Sequence, residues 1–242
     1  MKKAILTVHC VNGYSEEAEK CIAPIRRALG NAFPDCVCYD AYLSTGRTRI
    51  SGRGNREGAF CAGMLESLEK DGCGQICISP LLLVPGIYYN AVREIAPNCP
   101  VSRPLLDDDG DFERIADIYD EIARKEGRDV LLMGHGSTGM GDEIYARLSD
   151  RLGAHVHLAC ARGIMSLEEV LPYIETGRLL LMPLMLTAGS HARREMDGDG
   201  PQSWKNILMN RGFDVDVRLE GMGSMPAVQE MFVRKARKAF GD

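Results

Sequence analysis

The 242-residue sequence contains no apolar run near the 18 or more residues that a membrane-spanning helix needs. Nor does it hold an excess of basic residues: 29 Lys and Arg stand against 34 Asp and Glu, a formal net charge of −5. The first absence excludes a helical membrane protein. The second argues against a general nucleic-acid binder, which needs surplus cations to neutralise phosphates. The opening Met1-Lys2-Lys3-Ala4-Ile5-Leu6 is too short an apolar segment for a signal peptide and reads as a first strand. A G-x-S-x-G nucleophile elbow is also missing, which disfavours serine hydrolysis. Histidine is scarce, with only five: His9, His135, His155, His157 and His191.

Cysteine is plentiful by contrast, but its pattern lacks order. There are nine, an odd number, and neither Cys36-x-Cys38 nor Cys73-x3-Cys77 is joined by a second pair at zinc-site spacing. They read as reduced core thiols of a cytoplasmic protein.

Hydrophobic residues are 45% and charged residues 26%, ordinary for a soluble globular chain whose length suits one large or two small domains. Apolar runs rich in aliphatic residues alternate with segments of helical period. The pattern predicts strands near 4–9, 36–43, 75–84 and 101–106, with helices near 15–29, 56–70, 87–96 and 111–125. The order then repeats, with strands near 129–134, 155–161, 178–187 and 214–219 and helices near 142–152, 166–176, 201–211 and 225–240. Such alternation implies α/β architecture, with parallel sheets covered on both faces. Ser15 and the Ser166-Leu-Glu-Glu169 capping box mark helix starts, and Gly30, Gly177 and Gly212 sit where left-handed helix ends are wanted.

The halves also resemble each other. Ala4 to Gly13 lies over Val130 to Gly139, His9 on His135, and Pro80, Gly86 and Tyr88 lie over Pro183, Gly189 and His191. The simplest reading is an internal duplication into two similar flavodoxin-like domains, 1–126 and 127–242, each a four-stranded parallel sheet flanked by helices. Ligands of such sheets bind beyond the carboxyl ends of the strands, and His9, His135, Tyr88 and His191 all fall near predicted strand ends.

The loop Gly134-His135-Gly136-Ser137-Thr138-Gly139 matches G-x-G-x-x-G, the phosphate-binding pattern of dinucleotide folds. The match is poor in context. The next helix is expected only from Asp142, a bulky ring sits between the first two glycines, and the following strand ends in Arg162 rather than an acid. A phosphorylated dinucleotide stays formally open, since an arginine can take a 2′-phosphate. The alternative is that the loop presents an imidazole. His135 and His191 end the first and third strands of their half, neighbours in a flavodoxin-like order, so both rings could reach one ion. Neutral imidazole suits cobalt, nickel, iron or zinc. His155 and His157 share one strand face before that rim and read as packing or interface residues.

The segment Leu181 to Ala192, continuing through Met196-Asp-Gly-Asp199 to Ser203-Trp204-Lys205, resembles the anaerobic sirohydrochlorin cobaltochelatases, class II chelatases with a ferrochelatase-like fold. Gly134-His135-Gly136, Leu83-Val84-Pro85-Gly86 and Leu219-Glu-Gly-Met-Gly223 fit the same family. The resemblance implies ATP-independent insertion of Co2+ into sirohydrochlorin, a cobalamin precursor, with no nucleotide. It assigns His135 and His191 as the two metal-binding histidines, the catalytic pair. Where that family carries a glutamate ligand after the second strand of this half, this sequence has Arg162, leaving Glu168, Glu169 or Cys160 as substitutes. The family's first-half Ser-Phe-Gly-Thr-Ser loop is here His9-Cys10-Val11-Asn12-Gly13, and Leu81 stands where another family histidine is expected.

Arg47, Arg49, Arg53 and Arg56 crowd a glycine-rich loop after the second strand, and paired arginine hydrogen bonds suit the carboxylates of an anionic macrocycle. His9, Tyr88, Arg162 and Arg193 complete the expected substrate contacts, with Arg194 adding charge. Two functions follow: a chelatase, or a tetrapyrrole-binding protein that has lost its third metal ligand. No nucleic-acid or membrane partner is expected, and a homo-oligomer is left open.

Overall fold

The computed structural model describes residues 2–10, 16–43, 59–136, 140–190 and 192–241. They pack as two compact units, residues 1–107 with 223–242 and residues 108–222.

In the first unit β1 (Lys2–His9), β2 (Cys36–Tyr42), β3 (Ala59–Phe60) and β4 (Cys73–Pro80) form a parallel sheet in the order β3-β2-β1-β4. Helices α1 (Glu16–Ala32), α2 (Cys61–Lys70) and α3 (Ile87–Ile95) alternate with the strands. The last six residues of β1 are all buried, as a central strand covered on both faces requires. The sequence reading differs at one edge. Its fourth strand, 101–106, is only an isolated bridge from Val101 to Ile78. Pro100 and Pro104 lack the N–H donors that a ladder there would need. The fourth strand is instead the two-residue β3, on the opposite edge beside β2.

The second unit opens with α4 (Asp109–Glu126), where Asp108 and Asp111 form a reciprocal capping box and Gly127 closes the helix at φ +62°. Then come β5 (Asp129–Gly134), α5 (Met140–Ser149), β6 (Val156–Cys160), α6 (Leu167–Val170), β7 (Arg178–Leu184), α7 (Trp204–Asn210) and β8 (Asp214–Val217). This sheet is parallel in the order β6-β5-β7-β8. Every residue of β5 and all but the first of β7 are buried. Leu131 and Met133 of β5 and Leu179 and Leu181 of β7 join Trp204, Leu208 and Met196 in one core.

The shared order β2-β1-β4 and β6-β5-β7 is what a duplication predicts. Pro80 stands opposite Val8, and Pro183 opposite Met133. We keep 126/127 as the proposed seam of that duplication, although the compact units do not coincide with the halves. Helix α4 packs with β5 and β6 in the second unit, whereas α8 (Pro226–Phe240) packs on α1 and β4 in the first.

Among the caps, the Ser166 box forms and Gly212 is left-handed at φ +90°. Gly30 instead lies inside the last turns of α1, and Gly177 does not take positive φ. Ser15 lies outside the described residues. No described helix is long and apolar enough to cross a membrane.

Candidate active site

The order β6-β5-β7 brings three strand ends to one rim of the second sheet. His135 follows β5 directly and is exposed. Its Nδ1 lies 2.9 Å from the carbonyl oxygen of Gly136. A carbonyl only accepts, so in the neutral ring Nδ1 carries the proton and Nε2 the lone pair. The glycines on either side have a steric reason. A Cβ at Gly134 would lie 3.0 Å from Tyr145 Cε1 and 3.1 Å from Cys160 Sγ. Gly136 has φ +70°, and a Cβ there would overlap the Arg162 carbonyl oxygen. The room made by Gly136 is therefore filled by the neighbouring loop, not left for a pyrophosphate. Tyr145, buried under the loop, hydrogen-bonds to the backbone of His135 and Gly136.

The end of β6 leads into Arg162, whose guanidinium donates to Glu195 at 3.3 Å. Glu195 lies on a π-helical turn, Ala192–Met196, after β7. The turn is closed by Asp197 N donating to the Ala192 carbonyl at 3.2 Å, and Ala192 and Met196 anchor it in the core. Gly198 is needed where the chain crosses back, because a Cβ would overlap the Arg194 carbonyl. Lys205 pairs with Asp197 at 3.0 Å, and Asn206 Nδ2 donates to the Gly198 and Gly200 carbonyls. The block 181–205 is thus largely the scaffold of one loop. His191, immediately before the turn, lies outside the described residues.

A family model described as cobalt chelatase (CbiK) matches residues 3–240. The chain belongs to this cobalt chelatase family. A sirohydrochlorin cobaltochelatase of Salmonella typhimurium is 28% identical over 257 aligned positions, covering 99% of this chain and 97% of that protein. The sirohydrochlorin cobaltochelatase CbiKC of Nitratidesulfovibrio vulgaris is 36% identical over 155 positions, 57% of this chain and 55% of its own. Among solved structures, the sirohydrochlorin chelatase SirB of Bacillus subtilis subspecies spizizenii, in complex with cobalt, has a TM-score of 0.64 at 17% identity, covering 99% and 95% of the two chains. These structural likenesses establish the fold: a chelatase-like pair of α/β units.

Against that cobalt chelatase background, the other expected site residues fall as follows. Cys160 is buried, and burial followed by the charge of Asp142 pushes its thiol up to about 12. The thiolate is the metal ligand, so burial, which favours the protonated thiol, disfavours Cys160 as the third donor. Glu168 is turned to Arg211 in an exposed ion pair, and Glu169 is spent on the Ser166 cap. Tyr88 lies in the first turn of α3, not at a strand end, and packs half-buried against the first core. Leu81 is buried and continues the β1 ladder through Val8. Arg193 is exposed on the π turn. Arg47, Arg49, Arg53 and Arg56 lie outside the described residues. His155 Nδ1 and His157 Nε2 hold the two oxygens of buried Asp129, at 2.8 and 3.1 Å, at the opposite end of the sheet. Their work there is to satisfy a buried carboxylate. Two residues escaped the sequence reading, Tyr145 and Glu195. The spacing of Glu195 four places after His191 was its one available signal.

His9 differs from its expected role. It ends β1 rather than following it, is 4% exposed, and lies edge-on against Tyr42 at 4.2 Å between ring centroids. Its Nδ1 is buried with no hydrogen-bond partner among the described residues. Burial, then the charge of Arg26, lowers its pKa to about 4. An unfolded histidine titrates near 6.5, so between about pH 6.5 and 4 the unfolded chain binds the extra proton and stability falls with acid. The folded state should lose about 3 kcal/mol over that window from this group. Urea unfolding at several pH values checks it: His9→Phe should flatten the slope by that amount, and an unchanged slope would refute the assignment.

Proposed function

We propose that the chain inserts Co2+ into sirohydrochlorin or a closely related tetrapyrrole, as a step of cobalamin-type biosynthesis in the cytoplasm. The observation that supports this reading is His135 at a strand end, with Nδ1 2.9 Å from the Gly136 carbonyl, an arrangement that in the neutral tautomer gives Nε2 the lone pair. Nine free thiols accord with a reducing compartment.

The chemistry balances without nucleotide or redox change. The divalent ion enters the macrocycle, forms bonds to its four nitrogens, and two pyrrole N–H protons leave. His135, together with His191, holds the ion as substrate and releases it inward, and an imidazole vacated by the metal accepts a proton. Ni2+, Fe2+ or Zn2+ suit the same donors less selectively. Arg162, Arg193 and the arginines at 47, 49 and 53 serve the macrocycle carboxylates.

One observation favours a second reading, a tetrapyrrole-binding protein without chelation: the residue after β6 is Arg162, not a carboxylate. A spectrophotometric assay separates the two. Purified protein, sirohydrochlorin and Co2+ should metallate the macrocycle faster than a protein-free control. Metallation at the control rate, with a spectral shift from the metal-free macrocycle alone, would leave only the binding function.

A further inference from the structure

We propose that Tyr145 is a positioning residue for metal insertion, whose buried hydroxyl anchors both peptide planes beside His135 and so fixes the direction of its imidazole. This rests on the chelatase reading and deepens it.

His135 is exposed after β5, and an exposed side chain takes its direction first from its backbone. Its Cα lies between two planar peptide units, Gly134–His135 and His135–Gly136. The first is held at both ends: the Gly134 carbonyl accepts from Ala161 N at 2.9 Å, and the His135 N–H meets the Tyr145 hydroxyl. The second is held through the Gly136 N–H, which meets the same hydroxyl. Burial, then the charge of Cys160, pushes this phenol up, and the two backbone contacts pull the other way. Only bonds that the oxygen accepts favour its ionised form, so both N–H groups donate. With both planes anchored, the φ and ψ of His135 are set, and with them the Cα–Cβ direction.

The ring of Tyr145 makes the anchor rigid. The residue is buried on α5, and a Cβ at Gly134 would lie 3.0 Å from its Cε1 and 3.3 Å from its Cδ1, so the ring lies directly against the end of β5. Successive N–H groups that converge on one point cradle an anion in phosphate-binding loops. In this Gly-His-Gly loop, where Gly136 is left-handed at φ +70°, the chain's own phenol takes that place. The contact that occupies the cradle is thus the one that orients the histidine.

A double-mutant cycle decides the matter, read with the metallation assay above. Tyr145→Phe keeps the ring against Gly134 and removes only the acceptor oxygen. It should lower kcat for Co2+ insertion about 10–100-fold, as loss of a contact behind a metal ligand does. KM for sirohydrochlorin should stay within about two-fold of wild type, because Tyr145 acts through His135 and not on the macrocycle. In a His135→Ala background the same substitution should change the rate by less than about two-fold, since the ring it positions is gone. A general loss of folding would slow both backgrounds alike. Amide hydrogen exchange of the wild-type chain is the second measurement and stands even if the variant fails to fold. The N–H groups of His135 and Gly136 should exchange slowly although they lie beyond the strand ladder. The proposal falls if those amides exchange at open-chain rates, if Tyr145→Phe inserts cobalt as wild type does, or if its penalty is as large without His135. A wild-type chain that metallates only at the control rate overturns the chelatase reading and the positioning role with it. Normal wild-type metallation with an undiminished penalty in His135→Ala overturns the positioning role alone.

Discussion

His135→Ala protein should bind sirohydrochlorin with wild-type affinity yet metallate it about 10²–10⁴ times more slowly, the range typical for loss of a positioned acid–base group. The reason lies in where the ring stands. It is exposed after β5 and its Nδ1 bonds to the carbonyl of the next residue, while β5, Gly136 and Tyr145 are held by their own packing, so truncation should spare the fold. Truncation should therefore remove a lone pair without disturbing the fold. The measurement is paired: macrocycle binding by absorbance titration, and initial rates of Co2+ insertion at saturating macrocycle. A variant that inserts metal normally, or that loses macrocycle binding instead, would contradict this assignment.

Gly136→Ala adds a single methyl group, and the loss should be severe on both counts. The left-handed backbone costs an L-residue roughly 1–2 kcal/mol. The new Cβ would also overlap the Arg162 carbonyl, and overpacking of that kind costs about 1–3 kcal/mol more. Thermal unfolding should show a drop of roughly 5–15 °C for a chain of this size. Because relief can come only by parting the loops after β5 and β6, insertion activity should collapse along with it. A variant with wild-type melting temperature and activity would show that these two loops do not touch as described. Gly134→Ala is the milder companion, since its clash is with the movable ring of Tyr145.

Much of this architecture could be read from the chain because the signals are local. β1 and β5 announce themselves as unbroken apolar runs, and these are the central strands, paired on both sides. The edges were harder. Ala59 and Phe60 make a strand of two residues, too short for any period, while 101–106 has strand composition but Pro104 within it and Pro100 just before it where donors are needed. Position 135 was legible as a candidate because a histidine between two glycines has few structural uses. Glu195 was not, since its meaning comes from a π turn and from Arg162, 33 residues away in the chain. A helical period assumes 3.6 residues per turn and has no way to see five-residue closure. His155 and His157 hold the packing role expected of them, but their partner is a buried aspartate that only the register of β5 against β6 brings near.

Cys160 bears on how tightly a metal ion would be held near His135. A Cβ at Gly134 would meet its sulfur and one at Gly136 its Cβ, so it packs against both glycines that flank His135, and burial keeps its thiol protonated. Were it ionised, a soft sulfur donor would favour copper(I), zinc or cadmium over cobalt and would lengthen the residence of any ion that entered. An enzyme that hands its metal onward cannot keep it, and a thiolate there would turn a transfer station into a trap. Burial of the protonated Cys160 thiol works against such a trap.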